Sequence, residues 1–162
     1  MDITINKIRI KEKFTEVEYV TYQKTEDEEL ISSNFKCRSN AKPHKDLFNA
    51  FQKLKKHAAN ICELSVFNND KKSEAANVVT SVRLMEDIDS SRVMISMNKY
   101  IKSGKCYSVT TPLIDLGKDE YEHMNELTSD IEKLKEEAEK FVKGKNGNQQ
   151  IELDFHPHVK VA

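Results

Sequence analysis

Arg92-Val93-Met94-Ile95-Ser96-Met97-Asn98-Lys99-Tyr100-Ile101, then Lys102-Ser103-Gly104-Lys105, then Cys106 to Leu113, is the stretch that decides the fold. Val93, Ile95, Met97 and Ile101 fall at even spacings, so an extended chain places them on one side. The four residues that follow contain a glycine, which supplies the positive φ of a tight hairpin connection. Cys106 to Leu113 then reads as the return strand, ended by Pro112 and Gly117.

Working upstream, Asn77 to Met85 carries Val78, Val82 and Leu84, expected on one side of a further strand. A loop, Asn68-Asn69-Asp70-Lys71-Lys72, precedes it. The chain begins with a second set of three strands. Ile3, Ile5, Ile8 and Ile10 start the first, and Glu16 to Tyr22 alternates in the manner of the second. After the polar break Thr25-Glu26-Asp27-Glu28-Glu29, Leu30 to Cys37 reads as the third, offering Ile31 and Phe35 to a core.

Each set leads into a helix. Beyond Pro43, Leu47, Phe51, Leu54, Ala58 and Ile61 recur at spacings of four and three, which predicts one helix over 44–64. Met124, Leu127, Ile131, Leu134, Ala138 and Phe141 repeat the pattern near the end of the chain. Asp119 with Glu122 resembles a capping box for that helix. Lys143 suits its negative end, and Gly144 can close it in the left-handed conformation. The expectation is an α+β domain in the order βββα-βββα, with antiparallel sheet covered by two amphipathic helices. It spans 1–143, with possible halves 1–66 and 77–143, and leaves 144–162 as a flexible linker and C-terminal peptide.

At 162 residues the chain is long enough for a real core. Its net charge of −1 excludes a uniformly basic nucleic-acid binder, so contact with nucleic acid needs a local patch. Three scattered cysteines, Cys37, Cys62 and Cys106, without a CxxC pair, suit reduced thiols in the cytoplasm. No basic leader is followed by an apolar run, and no stretch approaches the roughly twenty apolar residues that span a bilayer. No membrane partner is expected.

Catalytic constellations are sparse. Glu86, Asp87 and Asp89 share one loop, but acidic residues are common in strand connections. His57 and Cys62 sit five apart on one helix, offset around its axis and out of nucleophile–base reach. His156-Pro157-His158 lacks a third metal ligand. No glycine-rich phosphate loop, GxSxG or HExxH motif occurs. A non-enzymatic protein without a cofactor is the expectation.

Charge is segregated. Lys36, Arg38, Lys42, Lys45, Lys53, Lys55 and Lys56 lie between 36 and 56, opposed only by Asp46. Lys45, Gln52, Lys56 and Asn60 are expected to form a solvent stripe on the first helix. Lys42, Lys45, Lys53 and Lys56 are the candidate nucleic-acid contacts, and Tyr19, Tyr22, Tyr100 and Tyr107 are strand aromatics available for stacking on single-stranded DNA. From 119 to 143, nine acidic residues face four lysines. That helix could meet the basic helix of a second copy, giving a homo-oligomer.

Gln150-Ile151-Glu152-Leu153-Asp154-Phe155 follows the polar stretch Lys143 to Gln149. It resembles the peptide by which bacterial replication and repair proteins bind the sliding clamp: glutamine, a leucine-like residue, any residue, leucine, any residue, then leucine or phenylalanine. The resemblance implies that Gln150 sits at the cleft entrance while Ile151, Leu153 and Phe155 are the buried anchors. Ile151 stands where leucine is commoner, and His156 to Ala162 follow where the motif often ends a chain. The same alternation, continued by Val159 and Val161, also fits a last β-strand at a sheet edge. The whole chain resembles small proteins of phage and prophage replication–recombination modules, through Lys7 to Lys13, the helix ending Phe141-Val142-Lys143-Gly144-Lys145, and the terminal peptide. The resemblance implies an accessory factor of DNA replication or recombination recruited to the clamp. A single-stranded nucleic-acid binding module, and a structural or inhibitory interaction protein, are the alternatives.

Overall fold

The computed structural model describes residues 2–64 and 77–145. The loop at 68–72 and the readings made for 146–162, clamp peptide or edge strand, lie outside these described residues. The elements are β1 (Asp2–Lys11), β2 (Phe14–Lys24), β3 (Leu30–Ser39), α1 (Lys45–Gln52), α2 (Lys55–Ile61), β4 (Asn77–Glu86), β5 (Ser91–Tyr100), β6 (Cys106–Thr110), β7 (Ile114–Asp115) and α3 (Met124–Val142). The α+β class and the two antiparallel meanders are as expected. They form one sheet in the order β3-β2-β1-β4-β5-β6, with the short β7 added against β5.

The two innermost strands meet through only three residue pairs, Lys7 with Arg83, Ile8 with Val82 and Arg9 with Ser81. Each of these strands also carries a bulge. In β1 the register slips between Ile5 and Lys7, and in β4 between Val79 and Ser81. An extra residue restores the same face after an odd spacing. Ile5 and Ile8 are therefore both core residues, as are Val79 and Val82. The slip in β4 corrects the expectation for Val78. It lies opposite the core and is exposed, and Val79 takes its place inside. Bulged β1 and β4 also part beyond Arg9. There the Gln52 side chain receives a hydrogen bond from Val79 N–H and donates one to Val79 C=O, both 3.0 Å.

The three helices among the described residues lie on one sheet face. α3 packs on β1 and α1, α2 on β4 and β5, and α1 on β4. Phe51, Leu47, Leu54, Ile131, Leu134 and Leu127 fill the layer between helices and sheet, against Ile8, Val17, Val82 and Ile95. The helix expected over 44–64 is two helices. Leu54 N–H bonds to Phe51 C=O, three residues back, and this tighter turn separates them.

Three further expectations are corrected. Ile31 and Phe35 point to the helix side of β3, but they are 51% and 48% exposed, because the helices sit over β1, β4 and β5 instead. Ile101 lies past the end of β5 and is exposed. The Asp119–Glu122 capping box does not form: α3 starts later, and Asp119 accepts from Asp115 N–H. The turn at Gly104 (φ 82°) and the helix stop at Gly144 (φ 109°) follow the expectation. Gly144 N–H bonds to Phe141 C=O and Lys145 N–H to Lys140 C=O, the double closure of a left-handed helix end. No helix among the described residues is long and apolar enough to cross a membrane.

Candidate nucleic-acid interface

With the helices on one side, the other side of the sheet is open among the described residues, and strand alternation decides what faces it. One row of directly paired residues crosses all six main strands: Arg38, Glu16, Arg9, Ser81, Ser96, Thr110. A second row runs Lys36, Glu18, Lys7, Arg83, Met94. Lys11 and Lys24 join from β1 and β2, and Arg92 from β5. Eight cations thus share this face with five carboxylates: Asp2, Glu16, Glu18, Asp115 of β7 opposite Arg92, and, from the β4–β5 turn, Asp87. The local balance is +3, in a chain of net charge −1.

Glu16, Glu18 and Asp87 on this face are already engaged. Glu16 is only 3% exposed although none of the described helices covers it; Arg9 (3.2 Å), Lys36 and Arg38 (both 3.9 Å) surround its carboxylate. Arg38 and Arg9 also sit over the Phe14 ring, at 3.8 and 5.4 Å from its centre. Glu18 holds Lys36 at 3.2 Å, and Asp87 holds Arg92 at 2.7 Å. Arg92 Nε is buried and has no hydrogen-bond partner among the described residues. Lys7 and Arg83 differ from these. They are paired directly across the β1–β4 junction, two like charges side by side, and neither has an ion-pair partner among the described residues. Such a pair opposes sheet formation unless an anion bridges it.

Two grooves open beside that junction. One, of about 420 Å³, is lined by Asn6, Lys7, Glu18, Arg83, Met85 and Arg92 among others. The other, of about 620 Å³, lies where β1 and β4 part. Lys11, Lys13, Phe14, Val78 and Tyr100 line its walls, and Phe48 and Gln52 line its floor from the helix side. Cations beside a groove with exposed aromatic rings are the two components of single-strand binding: phosphate pairing and base stacking.

The lysines expected to contact nucleic acid are placed elsewhere. Lys53 reaches Asp130 of α3 at 3.0 Å, and Lys56 forms an ion pair with Glu126 of α3. Lys42 and Lys45 remain exposed around the start of α1. The anticipated stripe of Lys45, Gln52, Lys56 and Asn60 is broken up, since Gln52 serves β4 and Asn60 donates to Tyr121 Oη at 3.5 Å. The meeting of basic and acidic helices imagined between two copies happens within one chain.

A buried polar joint lies at the centre of that meeting. His57 is fully buried; its Nε2 lies 2.9 Å from Asp130 Oδ2 and its Nδ1 2.9 Å from Tyr121 Oη. The pattern is satisfied by a neutral ring that donates from Nε2 to the carboxylate and accepts the Tyr121 hydroxyl proton at Nδ1. Burial holds the His57 pKa below its usual value, against the opposing pull of Asp130. Burial also raises the Tyr121 pKa. The hydrogen bond from Lys56 keeps Glu126 low. His57, Glu126 and Asp130 offer atoms within 4.8 Å of one another, in the manner of a metal site. Both carboxylates, however, already hold a lysine, so the group is a charge-balanced helix contact. His57 and Cys62 do not approach as a pair, and Glu86 is drawn away to Lys135 of α3.

Gln150, Ile151, Leu153 and Phe155 lie outside the described residues. Sequence reasoning counted Lys36 and Arg38 in a contiguous basic segment, where they belong to a different surface from Lys53 and Lys56. It missed Lys7, Arg9, Lys11, Arg83 and Arg92, which only strand pairing brings together. The usable signal was the cation at alternate positions 7, 9 and 11, on the side opposite Ile8 and Ile10. No protein-family model matches the chain, and comparisons with curated proteins and with solved structures find no match.

Proposed function

We propose that the protein binds single-stranded nucleic acid on the open face of its sheet, as a non-enzymatic accessory factor of DNA replication or recombination. The observation that carries this reading is the +3 face built around the Lys7–Arg83 pair, which has no ion-pair partner among the described residues. A phosphate set between two like-charged side chains relieves their repulsion and gains two charge-assisted hydrogen bonds. The neighbouring groove with Phe14 and Tyr100 offers rings to unstacked bases, which a duplex would keep hidden. The helix layer, rich in carboxylates, turns away from the strand.

Fluorescence polarisation with a labelled single-stranded oligonucleotide tests the reading. Binding is expected at low salt and should weaken steeply as salt rises. Lys7→Glu/Arg83→Glu should reduce affinity at least about tenfold. It should also flatten the salt dependence, since each lost phosphate contact removes about 0.7 from the logarithmic slope for single strands. Equal affinity of the variant and the native chain would exclude this face.

The placement in replication or recombination rests on the terminal peptide Gln150 to Phe155 and its likeness to the clamp-binding motif. Gln150 begins five residues after Lys145, the last described residue, which is held by Asp46 (2.8 Å) and Glu137 (3.1 Å). The peptide would dock on the bacterial sliding clamp through Ile151, Leu153 and Phe155 while the sheet holds the strand. Leu153→Ala/Phe155→Ala should abolish clamp pull-down and leave oligonucleotide affinity unchanged. Retained pull-down would remove the clamp from the proposal without touching the sheet.

A further inference from the structure

We infer that the free edge of β3 is a two-fold interface between two copies of this chain, joined strand to strand into one continuous sheet. Among the described residues, β3 ends the sheet on its side and runs for ten residues, 30–39, paired only to β2. An edge of that length offers an open row of backbone donors and acceptors, which monomeric proteins usually keep short or cover.

Side chains along the edge fit a second copy on three counts. On the helix side, β3 presents Ile31, Ser33, Phe35 and Cys37, all uncharged, and the helices leave Ile31 and Phe35 about half exposed. Phe35 is stacked on Tyr19 with ring centres 5.4 Å apart, so the apolar flank is already ordered. Charge is the third count and the one that sets direction. The turn before β3 is acidic (Glu26, Asp27, Glu28, Glu29), exposed and without an ion pair among the described residues. The far end of the same strand carries Lys36 and Arg38. An antiparallel two-fold brings the acidic end of each copy to the basic end of the other, whereas a parallel arrangement sets like against like.

One register meets all three conditions. With the axis at Ser33, Ile31 faces Phe35 of the second copy, and Glu28 comes opposite Arg38. A hydrophobic pair is formed twice, flanked by a charge pair formed twice. The open faces of both copies then lie on the same side of the joined sheet.

Sedimentation velocity over a concentration series tests this on the full chain. The native protein should reach twice the 18.7 kDa of one chain as concentration rises. Phe35→Glu, and separately Glu28→Lys/Glu29→Lys, should each remain at one chain length with an unchanged far-ultraviolet circular dichroism spectrum. Glu28 and Glu29 are exposed and Phe35 is half exposed at the sheet edge, outside the buried core. High salt should weaken the native dimer. A native chain that stays monomeric throughout overturns the inference. So does a dimer that survives both variants, or a mass that climbs past two chains, the sign of head-to-tail joining through β6.

Discussion

At the residue scale, the most consequential group is one that touches no solvent. His57 has a neutral role in the fold, with its two ring nitrogens committed to Asp130 and Tyr121. Its pKa in the folded protein is depressed, so below about pH 6.5 the unfolded chain takes up a proton that the folded chain resists. Stability is therefore whole above that pH and is lost as pH falls. Urea midpoints between pH 8 and 5 should decline for the native protein and decline less for His57→Gln. Asp130 adds a second outcome. Asp130→Ala leaves a buried imidazole N–H without its acceptor and Lys53 without its counter-ion. A loss of about 1–3 kcal/mol is expected, with each kcal/mol lowering the melting temperature by about 2–4 °C for a chain of this length. Thermal melts would show it, and a melt unchanged from native would mean that the joint contributes nothing to stability.

At the scale of the element, much was legible because period maps directly onto side. Alternation placed Val93, Ile95 and Met97 inside, and the three-four rhythm placed Leu127, Ile131, Leu134, Ala138 and Phe141 on the buried stripe of α3. What period does not report is cover. Phe35 and Phe51 look alike in the sequence, yet one is about half exposed and the other is fully enclosed. The difference lies in how far the helices reach across the sheet. Bulges were hidden for a related reason: the odd step from Ile5 to Ile8 and from Val79 to Val82 breaks simple alternation, and only the paired strand shows the inserted residue. Gln52 illustrates the consequence. It read as a solvent residue, and its side chain instead pairs with the backbone of Val79 beside the bulge. Gln52→Ala should strand that N–H and C=O at a cost of about 1–3 kcal/mol, measurable as a lower urea midpoint and faster amide exchange at Val79.

At the scale of the whole molecule, the fold sorts charge into two layers that the sequence interleaves. Cations from β1, β2, β3, β4 and β5 gather on the open sheet face, while the acidic stretch of α3 collects Lys53 and Lys56 on the other side. The contiguous basic segment is thus divided between two surfaces. Proximity in sequence joined Lys36 to Lys56, but the chain reverses between them and delivers them to opposite layers. This separation makes a two-way test. Lys53→Ala/Lys56→Ala removes two lysines from carboxylates of α3, so its effect should fall on stability and leave oligonucleotide binding close to native. Lys7→Gln/Arg83→Gln relieves a repulsive pair and touches no buried partner, so the melting temperature should hold or rise while binding weakens. Measuring both properties on both variants distinguishes a strand held on the sheet from one held on the first helix. If the helix lysines carry the affinity, the Lys53/Lys56 variant loses binding and the Lys7/Arg83 variant keeps it, and the acidic side of the molecule would have to accommodate phosphate against its own charge.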